Sequence, residues 1–395
     1  LTVSVFNTLS QRKDEIAGRT AYPHNLNLYV CGPTVYDSPH IGHARSYIIF
    51  DTLRRVLLLD GYRVRYMQNF SDVDEKIDAR AVREGTSPDA IADRYTDEFL
   101  SSMDGMGVMR ADDYPSVRKS RLQMYSFVNR LIERGLAYEA GSNIYFDTAR
   151  GGGFGALLHG RLEDIISGNE ADTFKFVKRR KEDFTVWLGP LSREPSGGGR
   201  PSWNVECFTM THTLVGCGLD IQCGGKDLIF PHHEVGSVIS RAFCGVEFAN
   251  YYIHNGFVTV SNDKMSKSKS NSIALQPFLE NRSYALRMYL LSSHFSENIE
   301  YSSSDLGIWE QRAARIMKKF DAADSGRMEF LTVDGMPRDQ KLQFFMELMR
   351  DNLRSDRAIS TFIDYALERN GTRADEDVLH YMAAALGLFN YAPSS

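Results

Sequence analysis

The sequence predicts an α/β protein whose parallel core comes in two halves and is followed by a mainly helical C-terminal region. Three observations predict it. A strand–helix–strand pattern opens the chain, a Gly- and Pro-rich connection leads into a second α/β half, and from about residue 276 the apolar spacing is mostly helical. At 395 residues the chain also exceeds the usual size of a single core, so more than one domain is expected.

"LNLYVCG", Leu26 to Gly32, alternates apolar and polar residues and stops at Gly-Pro, as a strand would. "HARSYIIFDTLRRVLLLDGY" then sets Tyr47, Phe50, Leu53 and Leu57 at helical spacing, with Gly61 as a stop. "RVRYMQNFSDVD" reads as the next strand. This βαβ start leaves a polar passage at the C-terminal end of its first strand, where open parallel sheets bind ligands. Residues from about 85 to 150 read as helical and then hairpin-like through "NIYFDTARGGGFG". "SREPSGGGRPSW", Ser192 to Trp203, is the connection. The second half runs from "WNVECFTM" through "LDIQCGGKDLIFPHHEV" to "NYYIHNGFVTVSNDKMSKSKSN".

Composition excludes several classes. Apolar residues at 43% and charged residues at 25% describe an ordinary globular chain. No run of about 18 uncharged apolar residues offers a membrane span, and polar residues come too early at the start for a secretory segment. Five cysteines, odd in number and sparse, read as reduced thiols in the cytoplasm rather than as a disulfide framework. A net charge of −5 gives no global pull toward nucleic acid, so RNA contact would need a local patch. "KRRK", Lys178 to Lys181, is the best one, and it also reads simply as a solvated face. Oligomeric state is not legible.

Three constellations can carry chemistry. His40 and His43, three apart at a helix start, share a face, and Gly42 between them leaves the backbone open to a ligand. A helix N-terminus favours anions, so the pair faces phosphate or else is a surface pair beside a cap. "SNDKMSKSKSN" places Lys264, Lys267 and Lys269 after an apolar strand: a loop suited to closing over a polyphosphate, or a solvated basic loop. Cys31 closes the first strand, Cys207 follows "WNVE" and His232 follows "FP". Thiolate and imidazole suit zinc, whereas a buried free cysteine is most often a small hydrophobe.

"HIGH" at 40–43 and "KMSKS" at 264–268 match the two signature motifs of class I aminoacyl-tRNA synthetases. "YVCGPTVYDSPHIGHARSY", "QNFSDVDEKI", "WNVECFTM" and "DLIFPHHE" resemble blocks of the cysteinyl-tRNA synthetase family, across roughly residues 3 to 320. The resemblance implies a Rossmann-like catalytic domain split by an insertion. Residues 1–125 would be its first half, 126–190 the insertion and 191–275 the second half with the KMSKS loop. Residues 276–395 would be a helical stem-contact and bundle region, without the family's anticodon-binding module. It also implies an activity: L-cysteine activated with ATP and Mg2+ to cysteinyl-adenylate, then passed to tRNA(Cys). His40, His43, Lys264 and Lys267 would be catalytic, with Gly42 and Asp227 also at ATP and Trp203 and Gln222 at cysteine. One Zn2+ per chain would sit on Cys31, Cys207 and His232 and take the substrate thiolate, for which serine's hydroxyl is a poor substitute.

The chain departs from the family at several positions. The family's fourth zinc ligand, a glutamate, falls at Gly236, which leaves Glu234 as a weak candidate or a water. Gln222 stands where the synthetases usually carry histidine. Cys217, Cys223 and Cys244 match no ligand and read as structural. Asp72 and Asp74 read as turn or cap residues, Asp227 as a ribose ligand or a helix N-cap, and Trp203 as a pocket wall or a core aromatic. The departures and the short C-terminal region resemble the mycothiol-pathway ligase, which joins cysteine to an amino sugar. Amide ligation is therefore the alternative, and a silent paralogue that binds RNA or protein is a third reading. The first residue is Leu1 rather than Met, which leaves truncation open.

Overall fold

The computed structural model describes residues 2–19, 23–159, 178–193, 198–266, 271–279, 283–318, 329–331, 333–368, 372–389 and 391–393. Two short antiparallel strands, β1 (Ser4–Asn7) and β2 (Arg12–Glu15), form the first hairpin. The sequence-predicted βαβ unit follows as β3 (Asn25–Val30), α1 (Ile41–Leu59) and β4 (Arg63–Gln68). Both strands are shorter than the sequence suggests. β3 stops at Val30, which leaves Cys31 and Gly32 just beyond its C-terminal end, where side chains are no longer confined to a sheet face.

Between the two halves lie α2 (Glu75–Glu84), α3 (Pro88–Gly105), α4 (Val117–Glu133) and an antiparallel sheet of β5 (Ala137–Ala140), β6 (Asn143–Phe146), β7 (Phe184–Leu188) and β8 (Arg200–Pro201). The hairpin read in "NIYFDTARGGGFG" forms on the other side of its strand. β6 pairs back onto β5 across the turn at Gly141 (φ 62°), while Gly151 to Gly155 lie in turns beyond it. "KRRK" is exposed on this sheet from Arg179 to Lys181, with the Arg179 guanidinium 4.0 Å from the Tyr138 ring centre.

The second half supplies α5 (Trp203–Val215), β9 (Leu219–Gly225), α6 (Glu234–Cys244) and β10 (Ala249–Asn255). All four long strands are parallel, in the order β10-β9-β3-β4. From the central pair the chain winds outward in both directions, β3 to β4 on one side and β9 to β10 on the other. This is the reversal of strand order at which such sheets open a crevice. The crevice lies beyond Val30 and Gly225.

Past residue 276 helices dominate, with Ser283–Leu291, Ser303–Met317, Gln340–Arg350, Ser355–Glu368 and Arg373–Leu386. Helix α1 is buried on nearly every face because it is packed by the parallel sheet and by this helical region together. One buried charge cluster joins the two. The Asp51 carboxylate on α1 accepts from Arg55 Nε at 2.8 Å, from Arg287 Nη2, and from the Met109 amide at 2.9 Å. No described helix is long and apolar enough to cross a membrane.

Candidate active site

The crevice is a cleft of about 660 Å3, lined among others by Cys31, His40, His43, Trp203, Asp227 and Lys264. Residues more than 230 positions apart thus share one cavity because both strand ends and both loops open on the same side of the sheet.

His40 is the N-cap of α1, and the two histidines cap the helix reciprocally. His40 Nδ1 accepts from the His43 amide and His43 Nδ1 accepts from the His40 amide, both at 3.3 Å. Their rings stack 3.8 Å apart at an interplanar angle of 14°. Two orphan amides at the helix start are satisfied by imidazoles where serine or aspartate would ordinarily serve. Gly42 leaves them room, since a Cβ there would sit 3.0 Å from the His40 ring and press on it.

The lysine loop is tied to the same helix start. Ile41 N donates to Ile273 O at 3.0 Å and Leu275 N to Pro39 O at 3.1 Å, so the segment after the loop runs against the entry to α1. Asn271 closes the loop's base, accepting from the Ser266 amide at 2.8 Å and donating to Lys264 O at 3.2 Å. Lys264 Nζ donates to Asp227 Oδ2 at 2.5 Å and lies over the Phe257 ring at 4.5 Å. Asp227 therefore caps no helix; its carboxylate is engaged by the cation. Lys267 and Lys269 lie outside the described residues.

Cys31, which lines the cleft, converges with the buried Cys207 and His232, one ligand atom from each lying within 4.8 Å of the others. The sulfurs are 3.7 Å apart, and His232 Nε2 is 3.1 Å from Cys207 Sγ. β3 delivers Cys31 and the first turns of α5 deliver Cys207. His232 arrives from the irregular turn ahead of α6. Gly32 allows this approach: a Cβ would fall 1.5 Å from Asn69 O, so the chain passes too close for any side chain. The Cys207 thiol is held well below its ordinary range, by the Cys31 hydrogen bond first and then by His232, against burial. Burial pushes Cys31 well above that range, and the hydrogen bond and charge of Cys207 add to the rise. Two buried sulfurs this close can both ionise only with a cation between them. His232 Nδ1 has no hydrogen-bond partner among the described residues. Two thiolates and an imidazole form a donor set that fits a soft divalent ion.

Trp203 opens α5 and stacks on His232, with ring centres 4.2 Å apart at 13°. At 44% exposed it is a wall of the cleft rather than a core aromatic. Gln222, fully buried on β9, donates from Nε2 to Cys31 Sγ at 3.1 Å, and its Oε1 finds no described partner. The suggestion of Glu234 as a fourth ligand is corrected. Its carboxylate accepts from the Gly155, Ala156 and Leu157 amides at 2.8, 3.0 and 2.7 Å, which leaves it turned to that loop and away from the sulfurs. At Gly236 a Cβ would meet only the Phe248 ring, at 3.4 Å. Asp74 caps α2 as read, and Asp72 caps from a distance: its carboxylate accepts from the amide of Arg118, in the first turn of α4, and from Arg118 Nε.

The reduced-thiol reading fails for two of the five cysteines. Cys217 and Cys244 form a disulfide with Cα atoms 5.9 Å apart, because the C-terminal ends of α5 and α6 converge. Cys31, Cys207 and Cys223 are free and buried. Sequence reasoning also missed a buried line of side chains behind the site. Thr8 Oγ1 and His254 Nδ1 are 2.7 Å apart, His254 Nε2 and His233 Nδ1 are 2.7 Å apart, and His233 Nε2 is 3.2 Å from Cys31 Sγ. Burial drives the pKa of His254 down to about 3 and that of His233 far down as well, so both rings are neutral. The second histidine of "FPHHE" was the one available signal for this line.

The model of the class I tRNA synthetase (C) catalytic domain matches residues 19–310. A cysteine–tRNA ligase of Desulforudis audaxviator is 41% identical over 307 residues, which cover 76% of this chain and 63% of that protein. Cysteine–tRNA ligases of Dehalococcoides mccartyi and Clostridioides difficile are 35% and 34% identical, each aligned with 98% of this chain and 86% of its own length. Among solved structures, a Mycobacterium tuberculosis methionyl-tRNA synthetase with methionyl-adenylate superposes with a TM-score of 0.58 at 16% identity, covering 91% of this chain and 89% of that one. A LeuRS from Agrobacterium radiobacter K84, in a ternary complex with tRNA and LeuAMS, gives 0.62 at 12% identity, covering 92% and 83%. These two likenesses carry the fold. The family match and the relatives together place the chain in the cysteinyl branch of the class I aminoacyl-tRNA synthetases.

Proposed function

We propose that the chain is an ATP-dependent cysteine–tRNA ligase acting in the cytoplasm. The carboxylate of L-cysteine attacks the α-phosphate of ATP, an O–P bond forms as pyrophosphate leaves, and the acyl group then passes from AMP to a hydroxyl of the tRNA's terminal ribose. The observation that carries this reading is the shared cleft: the stacked His40–His43 pair lines the same cavity as Cys31, behind which Cys207 and His232 complete the donor set. The first suits phosphate and the second a thiol.

His40 and His43 stabilise charge on the phosphates from the positive end of α1. Gly42 keeps the floor open to the nucleotide. Lys264 and Lys267 hold the outer phosphates, and Lys264 leaves Asp227 as they arrive, which frees that carboxylate to accept from the ribose hydroxyls. Magnesium accompanies the ATP. Cys31, Cys207 and His232 would hold one zinc ion. Held there, the ion would supply a soft Lewis acid suited to a cysteine thiolate and poorly suited to serine's hydroxyl. Trp203 and Gln222 shape the cysteine pocket around it. No side chain serves as a nucleophile, because the work is alignment and electrostatics. The helices beyond residue 276 would meet the tRNA stem.

The test is cysteine-dependent ATP–pyrophosphate exchange by the zinc-loaded chain, with serine as the control amino acid. Charging of tRNA(Cys) is then compared with condensation onto an amino-sugar amine. Exchange with cysteine and transfer to tRNA support the reading. Exchange followed by amide formation alone would move the chain to amine ligation, and no exchange would make it a silent binder.

A further inference from the structure

We propose that Cys217 and Cys244 form a thiol–disulfide exchange site, whose partners are low-molecular-weight thiols and disulfides, and that this bond clamps the helices carrying the cysteine site. Cys217 lies just past Gly216, the C-cap of α5, and is exposed, while Cys244 ends α6 and is partly covered. The bond spans 27 residues and therefore brackets β9 with Gln222 together with Asp227, His232 and Glu234. Cys207 stands on α5 itself. α5 thus holds Cys207 and ends just before Cys217, while α6 begins two residues after His232 and ends in Cys244.

The surroundings favour exchange at Cys217. His212 Nδ1 lies 3.7 Å from its sulfur, so a released thiol has a hydrogen-bond partner waiting. The α6 end is also held by α4, where Arg134 Nη1 donates to Phe243 O at 2.7 Å and its guanidinium lies 4.0 Å from the Phe243 ring centre. Opening the bond would leave that contact to keep Cys244 within reach for re-oxidation. Exposed disulfides are the ones small thiols reduce, while Cys31, Cys207 and Cys223 are buried. The exchange balances without further reagents. A thiolate attacks Cys217 Sγ and Cys244 leaves as thiolate; a second thiolate attacks the mixed disulfide and releases Cys217 and the small-molecule disulfide. Two electrons pass to the pair, and the protons of the two thiols end on the cysteines.

The exchange itself stands apart from the function proposed above; its consequence for zinc rests on that reading. The full chain, purified in air, is equilibrated in glutathione buffers of graded reduction, and its cysteines are alkylated and mapped by mass spectrometry. Cys217 and Cys244 should be protected under oxidising buffer, label together under reducing buffer and return to protection on re-oxidation. Labelling of both from the outset, or protection that persists in excess glutathione, would overturn the exchange site. Zinc release to a chelator is then compared among the oxidised chain, the reduced chain and the double variant Cys217→Ser, Cys244→Ser. Several-fold faster release from the reduced chain is expected, with the variant behaving alike where it folds. Equal rates would overturn the clamp. A second zinc equivalent on the reduced chain would overturn it too, by assigning the dithiol and His212 to a metal. A chain that binds no zinc contradicts the function proposed above and the clamp's consequence for zinc, while the alkylation map still decides the exchange.

Discussion

Two buried polar clusters teach opposite lessons. Around Asp51 every charge is answered within the chain: Arg55 donates to the Ala384 and Gly107 carbonyls, Arg287 to the Leu386 and Met106 carbonyls, and both to the carboxylate between them. Burial works to raise the Asp51 pKa, yet Arg55 and Arg287 hold it below the ordinary carboxylate value. Around Cys31 and Cys207 the chain leaves matters open, with two sulfurs 3.7 Å apart, an imidazole nitrogen and an amide oxygen lacking described partners, and a cleft alongside. A satisfied network fastens α1 to the helical region. An unsatisfied one waits for a ligand.

The contrast is sharpest under substitution. Cys207→Ser removes one soft donor from an incomplete shell, so zinc content should collapse and cysteine-dependent exchange should fall by at least about 100-fold, with unfolding little changed. Metal analysis, exchange kinetics and thermal melting together read this. Retained zinc with retained cysteine selection would erase the difference between the clusters. Asp51→Asn should do the reverse. It leaves two buried guanidinium groups short of their counter-charge and should cost about 3–5 kcal/mol of stability in denaturant titration, with zinc content unaltered in the folded fraction.

A third effect, spread over several pH units and smaller within any one of them, tests the histidine line behind the site. The His254 pKa is depressed to about 3 by burial, with the Lys226 charge adding to it, so the folded state keeps the ring neutral while the unfolded chain protonates near its ordinary value. Stability should be unaffected by this group above about pH 6.5 and should fall as pH drops below that, by up to about 1.4 kcal/mol per pH unit, levelling near the folded value. His254→Asn should flatten that part of the pH profile by up to one proton's slope. An unchanged slope would mean that the ring is not buried neutral.

What was legible in the sequence was what repeats locally. The alternation of "LNLYVCG", the apolar face of α1 and the paired signatures at 40–43 and 264–268 each lie within a short window, and the fold places the first two, residues 40–43 and residues 264–266 as their spacing implies. The convergence of Cys31, Cys207 and His232 came from resemblance, since nothing local ties a strand end to two later turns. Pairings set by tertiary packing stayed hidden. The Thr8–His254 contact joins residues 246 apart, and the disulfide depends on two helix ends meeting. The glycines of "ARGGGFG" misled because glycine marks a turn without saying which neighbouring strand completes the hairpin.

The most direct measurement is X-ray absorption at the zinc edge of the loaded chain, before and after addition of L-cysteine. Two sulfur ligands and a nitrogen should be seen from the protein, from Cys31, Cys207 and His232, with a third sulfur on adding cysteine and none on adding serine. An unchanged sulfur count with cysteine bound would contradict the account.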